Sequence, residues 1–303
     1  MHKAASQLLT LEFIQEQLEQ LPLLPGVVFE LMKSDPEGET FYEDMIRLAK
    51  KDPPLASLIL GHANSAAYIG KGAVDSIETA LARVGSHTIL QILMAISVAR
   101  VFLPSKEEQR NIWRHSLEVA QISSFMARRS CFPHVKPETA YMAGLLHDIG
   151  RFVMLQIAPE ALKKTEVRGW GGSEELIEVE QKSLGFTHTI VGQMACKKMH
   201  LPKLISNIVR YHHQHEVVRH PKVPKDLADL LLIIQFSDAL SFYLATESGW
   251  SKMSSRELHQ KIQEEVISSH WDESFLPLSE LVDALPRIFQ DCESACEVLG
   301  IRK

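Results

Sequence analysis

An adjacent histidine and aspartate, His147 and Asp148, are the residues of this sequence best suited to chemistry. They follow an apolar run, Tyr141 to Leu146, that is typical of a buried helix, so the pair is expected to lie at its end. Burying an ionised carboxylate costs free energy unless a cation or hydrogen-bond donors compensate it, and a metal ion does so directly. The pair therefore indicates a metal site, although Asp148 could instead cap the helix that begins at Ile149.

Five more side chains of the types that bind transition metals lie elsewhere in the chain. They are His115, His188, His212, His213 and Asp238. Asp238 stands in a strongly apolar helical run, where it is either a ligand or an aspartate held by hydrogen bonds. Each histidine taken alone is also open to a structural role in the core or at a helix end. Together with His147 and Asp148, the set predicts a site for one or two divalent metals.

Asp148 is predicted to bridge two such metals. One metal would take His115, His147, Asp148 and Asp238, and the other would take Asp148, His188 and either His212 or His213. Mixed imidazole and carboxylate ligands favour iron, manganese, zinc or nickel over calcium without selecting among them. A metal pair about 3.5–4 Å apart activates water and binds phosphate oxygens for in-line hydrolysis. The predicted chemistry is therefore that of a phosphate-ester site, or of the remains of one.

Arg151 lies three residues after Asp148 and is a candidate contact for a substrate phosphate, because a fixed guanidinium pairs well with phosphate oxygens. The alternative is an arginine on the helix surface that pairs with a carboxylate. Asp148 and Arg151 are accordingly the candidate catalytic residues.

Composition bounds the class of protein. The 303 residues are 45% hydrophobic and 23% charged with a net charge of −6, which is typical of a soluble globular protein and gives no general basic field for nucleic acid. No apolar run reaches the roughly 18 residues of a membrane span, and the N-terminus lacks the apolar core of a secretory signal. The four cysteines are too sparse for a disulfide framework. We therefore expect a cytoplasmic protein that does not engage membranes.

Apolar residues recur at helical spacing in nearly every segment, and no alternating strand pattern is longer than a few residues. The fold class predicted is all-α. A mostly polar stretch with a proline at position 104 places a domain boundary near residue 105. Residues 1–105 would form a helical N-terminal lobe. Residues 106–303 would form a second helical domain with a C-terminal extension, and this domain holds every candidate ligand.

Several motifs in order resemble one family of bacterial signalling proteins. They are Leu21-Pro22-Leu23-Leu24-Pro25-Gly26-Val27, Asp52-Pro53-Pro54-Leu55-Ala56, Ala63-Asn64-Ser65-Ala66-Ala67-Tyr68, Ser76-Ile77-Glu78-Thr79-Ala80-Leu81-Ala82-Arg83-Val84-Gly85, Gly144-Leu145-Leu146-His147-Asp148-Ile149-Gly150, Thr187-His188-Thr189-Ile190-Val191-Gly192, Leu201-Pro202 and Tyr211-His212-His213. Across roughly residues 20 to 245 the chain resembles the HD-related output domain (HDOD) family of the HD superfamily. The resemblance implies a helical N-terminal lobe packed against an HD-like helical domain, and a signalling or scaffolding role.

Many HDOD proteins have lost metal ligands, whereas this chain retains residues at the positions that match the HD set. It is also similar to the HD-GYP phosphodiesterases of cyclic di-GMP. The sequence after His213 contains no Gly-Tyr-Pro motif, however, and Asn111 stands where a further acidic ligand sometimes precedes the first histidine. These departures from the HD-GYP pattern argue against hydrolysis of cyclic di-GMP and leave another phosphate ester open as the substrate.

The leading functional hypothesis is a cytoplasmic signalling protein whose HD lobe binds metal and a phosphorylated small molecule or nucleotide, while the N-terminal lobe acts on signalling proteins. An active metal-dependent phosphohydrolase, either a phosphomonoesterase or a phosphodiesterase, is the alternative. A third hypothesis is an interaction module in which the histidines are core residues.

Overall fold

The protein is described from a computed structural model, which covers residues 9–24, 26–31, 33–51, 53–65, 68, 72–102, 107–129, 132–166, 173–247, 249–267, 271 and 276–301. Helices are the regular elements of these residues, and no strand occurs among them, which confirms the all-α prediction. The predicted domain boundary at residue 105 lies outside the described residues.

The N-terminal part of the chain, up to residue 102, forms short helices. They are α1 (Leu11–Leu18), α2 (Gly26–Leu31), α3 (Phe41–Lys51), α4 (Pro53–Ala63), α5 (Ile77–Val84) and α6 (Ser86–Ala99). Hydroxyl side chains begin two of them. Thr10 accepts a hydrogen bond from the Phe13 amide at the start of α1, and Ser76 accepts one from the Thr79 amide at the start of α5.

The second part contains the longer helices. They are α7 (Glu107–Arg129), α8 (Pro137–Leu146), α9 (Ile149–Ile157), α10 (Pro159–Glu166), α11 (Ser173–Leu184), α12 (His188–Lys198), α13 (Lys203–Tyr211), α14 (Lys225–Thr246), α15 (Ser255–Glu265) and α16 (Leu278–Val298). Two 3-10 turns, His215–Arg219 and Trp250–Lys252, flank α14. Helix α7 is central, since it packs against α8, α14 and α16.

The two parts share one hydrophobic core. Helix α6 packs on α8, α1 on α12, and α4 on the C-terminal helix α16. Trp113 of α7 is fully buried at the junction, where its indole N–H donates a hydrogen bond to the Phe102 carbonyl at 2.9 Å and its ring contacts Phe152. A helical N-terminal part therefore packs closely against the helices that carry the candidate ligands.

Helix α14 is long and apolar enough to cross a membrane, and α5 with α6 meets the same criterion only as a pair bent by 112°. Most of α14 is buried against α7, α8 and α13. Such burial is typical of the core helix of a soluble protein.

Glycines allow the helices around His147 and Asp148 to approach closely. A Cβ atom at Gly144 of α8 would lie 2.7 Å from the Cα of Ala120 in α7. A Cβ atom at Gly150 of α9 would overlap the carbonyl oxygen of His188 and lie 2.7 Å from the Gly192 amide nitrogen in α12. Because these obstacles are backbone atoms, they cannot move away as a flexible side chain would. Gly144 thus sets the spacing of α7 and α8, and Gly150 sets the spacing of α9 and α12, which brings His188 close to the start of α9.

Gly150→Ala should therefore force α9 and α12 apart and lower the free energy of unfolding by about 2 kcal/mol or more. Gly61→Ala is the matched control, because Gly61 is an exposed residue within α4 with no atom near its would-be Cβ. That control should be neutral or stabilising by up to about 1 kcal/mol, as expected for alanine in a helix. Chemical denaturation measures both values, and equal stability of the two variants would contradict the described packing.

Candidate metal centre

Three of the predicted ligands form one group. His115 of α7, His147 after α8 and Asp238 of α14 each offer an atom within 4.8 Å of the other two. The Asp238 Oδ1 atom lies 3.1 Å from His115 Nε2 and 3.9 Å from His147 Nε2. Helices that are distant in sequence thus bring one carboxylate oxygen between two imidazole nitrogens.

The other four predicted ligands form a second group. Asp148, His188, His212 and His213 also offer atoms within 4.8 Å of one another. The Asp148 Oδ1 atom lies 3.2 Å from His188 Nε2 and 3.7 Å from His212 Nε2, while His213 Nε2 lies 3.2 Å from His188 Nε2. The structure brings both His212 and His213 into this group, whereas the sequence predicted one or the other.

Asp148 lies between the two groups. Its Oδ2 atom is 3.8 Å from His147 Nε2 of the first group, and its Oδ1 atom faces the histidines of the second. Asp148 occupies the N-cap position of α9, yet its side chain makes no capping hydrogen bond there. The arrangement therefore favours the site reading of Asp148 over the capping reading.

Four of the five histidines are oriented by hydrogen bonds on the ring nitrogen that faces away from the centre. His147 Nδ1 donates to the Gly144 carbonyl at 2.7 Å, and His212 Nδ1 donates to the Val209 carbonyl at 3.0 Å. A proton on Nδ1 leaves the lone pair of Nε2 directed into the centre. This Nδ1-protonated tautomer is the one that binds a metal through Nε2.

His188 is oriented by a carboxylate that the sequence analysis did not identify, that of Glu180 in α11. One oxygen, Oε2, accepts hydrogen bonds from both the Nδ1 and the backbone N–H of His188, each at 2.8 Å. Glu180 is fully buried, and it satisfies an otherwise unpaired amide at the start of α12. The available signal was its position on the apolar face of α11, four residues from both Leu176 and Leu184.

His115 is oriented by two further residues that the sequence analysis did not identify, Ser241 and Glu118. Its Nδ1 lies 3.0 Å from Ser241 Oγ, which itself donates to Glu118 Oε2 at 2.8 Å. Because the serine proton is used on Glu118, the serine oxygen is the acceptor and His115 Nδ1 is the donor. Ser241 stands three residues after Asp238 on α14, so one helix face supplies both a candidate ligand and the residue that orients another.

Charges within the centre support one another. Burial alone would raise the pKa of Asp148, but His147, His188 and Arg151 outweigh it and hold that pKa well below the usual range. Burial lowers the pKa of His147 to about 4, so its imidazole is neutral at pH 7. Burial also lowers the pKa of His188, but Glu180 and Asp148 outweigh it and raise the pKa to about 10. A metal at His188 must therefore displace a proton, and binding should acidify the solution.

Arg151 lies beside Asp148. Its Nη1 is 3.3 Å from Asp148 Oδ2, and its side chain is almost fully buried. This contact corresponds to the alternative reading, in which the arginine pairs with a carboxylate, here a buried one. It holds the Asp148 carboxylate in place, and a role in binding phosphate stays a prediction.

The residues present fit a divalent metal site. Two buried polar atoms in the centre have no hydrogen-bond partner among the described residues, namely His147 Nε2 and His213 Nδ1. Unpaired buried polar atoms are costly, and a coordinated cation would satisfy such lone pairs. Imidazole and carboxylate donors are those expected for iron, manganese, zinc or nickel.

Glu180→Gln tests the orientation of His188. The amide has a similar shape but carries no charge, so it should weaken metal binding about 10- to 100-fold, as changes next to a ligating histidine generally do. Glu178→Gln is the control, because Glu178 lies on the same helix, is exposed and pairs with Lys182. Titration of metal-depleted protein with Zn²⁺ measures both affinities, and equal loss in the two variants would contradict the role of Glu180.

The sequence matches a known protein family and two known proteins. The model of the HDOD domain matches residues 21–215. An uncharacterized protein of Treponema pallidum is 22% identical over 243 residues, which are 79% of this chain and 46% of that protein. Ribonuclease Y of Aquifex aeolicus is 30% identical over 114 residues, which are 38% of this chain and 15% of that enzyme. The chain thus spans less than half the length of either relative.

Solved structures share the fold. An HDOD domain protein of Geobacter sulfurreducens superposes with a TM-score of 0.67 at 21% identity, covering 95% of this chain and 97% of that one. A Shewanella amazonensis protein whose name suggests a phosphohydrolase gives 0.67 at 19% identity, with 95% and 98% covered. A Marinobacter aquaeolei protein whose name suggests signal transduction gives 0.67 at 18% identity, with 98% and 64% covered. Because the HDOD domain model matches residues 21–215, more than half of the chain, this protein belongs to the HDOD family.

Proposed function

We propose that this chain is an HDOD signalling protein whose HD lobe binds one or two divalent metals and, through them, a phosphorylated small molecule or nucleotide. The observation that carries the proposal is that the other six candidate ligands form two groups that meet at Asp148. Four of the histidines have their outer nitrogen fixed by a hydrogen bond while their inner nitrogen faces the centre, which histidines that only filled the core would not need.

Binding energy at such a centre stabilises the folded protein. The ligands come from α7, α12 and α14 and from the residues that follow α8 and α13, so a bound metal would join elements spread from His115 to Asp238. A ligand that binds only the native state stabilises it by mass action. Because α1 packs on both α9 and α12, the N-terminal lobe is in contact with elements that carry the centre. We propose that signalling proteins bind this lobe and respond to the state of the centre.

Asp148→Asn tests the metal. The variant keeps the shape of the side chain but removes the charge that lies between the two groups, so we expect near-stoichiometric metal in the wild type and at least a tenfold lower content in the variant. Elemental analysis of untagged protein gives the identity and amount of iron, manganese, zinc or nickel.

Asp229→Asn is the matched control. Like Asp148, Asp229 is a buried aspartate, and it lies on α14. It pairs with His134 and Lys225 outside the centre, so removing its charge should leave the metal content unchanged. Absence of metal from the wild type after growth in metal-supplemented medium would refute the proposal and favour a scaffold with a relic of the site.

A second candidate function is hydrolysis of a phosphate ester. The observation that favours it is that Asp148 directs one oxygen to each group of ligands, as a carboxylate shared by two metals would. When bound, a metal pair polarises phosphoryl oxygens and activates water for in-line attack. Arg151 would keep Asp148 ionised and oriented, and His213, the one partly exposed member of its group, would face the ligand.

Activity is measured on metal-loaded protein with nucleotides, cyclic dinucleotides and simple phosphomonoesters. An RNA oligonucleotide is included because one relative is by name a ribonuclease. An active enzyme should turn over at least one class and lose about 100-fold or more in rate with Asp148→Asn. No turnover of any class by the fully metallated wild type would rule out this second candidate and leave ligand binding in place.

A further inference from the structure

A small pocket opens beside the second group of ligands. It has a volume of about 210 Å³, and its polar lining comes from Gln181, Thr187, Thr189, Arg210, His213 and Gln214. His213 belongs to both the pocket and the candidate metal centre, so the pocket adjoins the centre. Ile177 and Ile190 supply apolar walls.

Arg210 is the cation of this pocket. It lies in the last turn of α13 and lines the pocket together with His213, which follows that helix. Its Nη1 donates a hydrogen bond to Thr189 Oγ1 at 3.3 Å, and its guanidinium lies over the Tyr211 ring at 5.7 Å. Among the described residues, no carboxylate lies within ion-pair distance of Arg210. It differs in this from Arg151, which is paired with Asp148.

The hydroxyl groups of the pocket are linked to this arginine. Thr189 Oγ1 lies 2.8 Å from Thr187 Oγ1, so the two threonines and Arg210 form a short hydrogen-bonded chain. Thr189 directly follows His188, and the hydrogen bond from Arg210 joins α13 to α12 beside the centre. A guanidinium with adjacent hydroxyl donors is a chemistry that recognises phosphate or carboxylate oxygens.

We infer that this pocket, which we call the Arg210 pocket, binds a second anionic group of the ligand whose first phosphate lies at the metal centre. The inference rests on the proposed function and adds the class of ligand: a small molecule with two neighbouring anionic groups, such as a diphosphate. The volume of about 210 Å³ is smaller than the roughly 300–1,000 Å³ of pockets that enclose drug-sized ligands. The pocket therefore suits a phosphate or carboxylate rather than a nucleobase.

Calorimetric titration of Mn²⁺-loaded protein with inorganic diphosphate and with inorganic phosphate tests the inference. Diphosphate should bind the wild type more tightly than phosphate. Arg210→Gln should weaken diphosphate binding by about 10- to 100-fold, the effect typical of losing a charge-assisted contact, and should change phosphate binding by less than about threefold. Thr189→Val keeps the charge but removes the hydroxyl that orients Arg210, so it should give a smaller loss in the same direction.

Lys203→Gln is the control, since it removes one exposed positive charge from the first residue of the same helix, outside the pocket. It should bind both anions as the wild type does. Metal content is measured before and after each titration, because diphosphate also chelates free metal. If Arg210→Gln retains its metal and binds diphosphate as tightly as the wild type, or if metal-loaded wild type binds neither anion, the inference is wrong while the metal site stands. If the wild type holds no metal, the proposed function itself is wrong.

Discussion

The burial of the Asp148 carboxylate is the constraint on which the rest of this structure depends. The side chain is almost completely removed from water, and its charge is balanced by the guanidinium of Arg151 on Oδ2 and by the protonated His188 on Oδ1. A buried carboxylate without such partners would cost several kcal/mol. Every element near the site can be understood by how it supplies or holds one of those partners.

The helices achieve this by close backbone contact and by hydrogen bonds that fix the rings of His115, His147, His188 and His212. Gly150 and Gly192 let α9 and α12 touch, so that His188 reaches Asp148. Glu180 then holds both the backbone and the ring of His188, and so links the start of α12 to α11. The orienting groups matter as much to the centre as the candidate ligands do, because a histidine ring rotated away from the centre could not direct its Nε2 atom at a metal.

The sequence predicted much of this arrangement. Helical periodicity and the family motifs indicated an all-α fold, and the cost of burying the carboxylates of Asp148 and Asp238 among apolar residues indicated that these side chains belong to a site. The seven predicted ligands do lie together. The sequence did not show which of His212 and His213 belongs to the second group of ligands, because that depends on how α13 ends. The structure places both in the group.

The partners of the ligands were harder to predict than the ligands. These partners act through tertiary contacts between residues that are 8 to more than 100 positions apart in the sequence. They are Glu180, Ser241 and Glu118. A glutamate or serine on the apolar face of a helix only weakly indicates a tertiary partner, since such side chains often hydrogen-bond to the backbone of their own helix instead. Arg210 gave no signal by its spacing, because its relation to the pocket depends on how α12 and α13 pack.

Anomalous diffraction from crystals of the protein, grown without chelators and recorded at the absorption edge of the metal found in it, tests the central claim most directly. The account predicts anomalous density among the side chains of His115, His147, Asp148, His188, His212, His213 and Asp238, next to one or both oxygens of Asp148. Crystals of metal-supplemented protein with no anomalous density there, and with the imidazoles bonded to one another or to water instead, would contradict it.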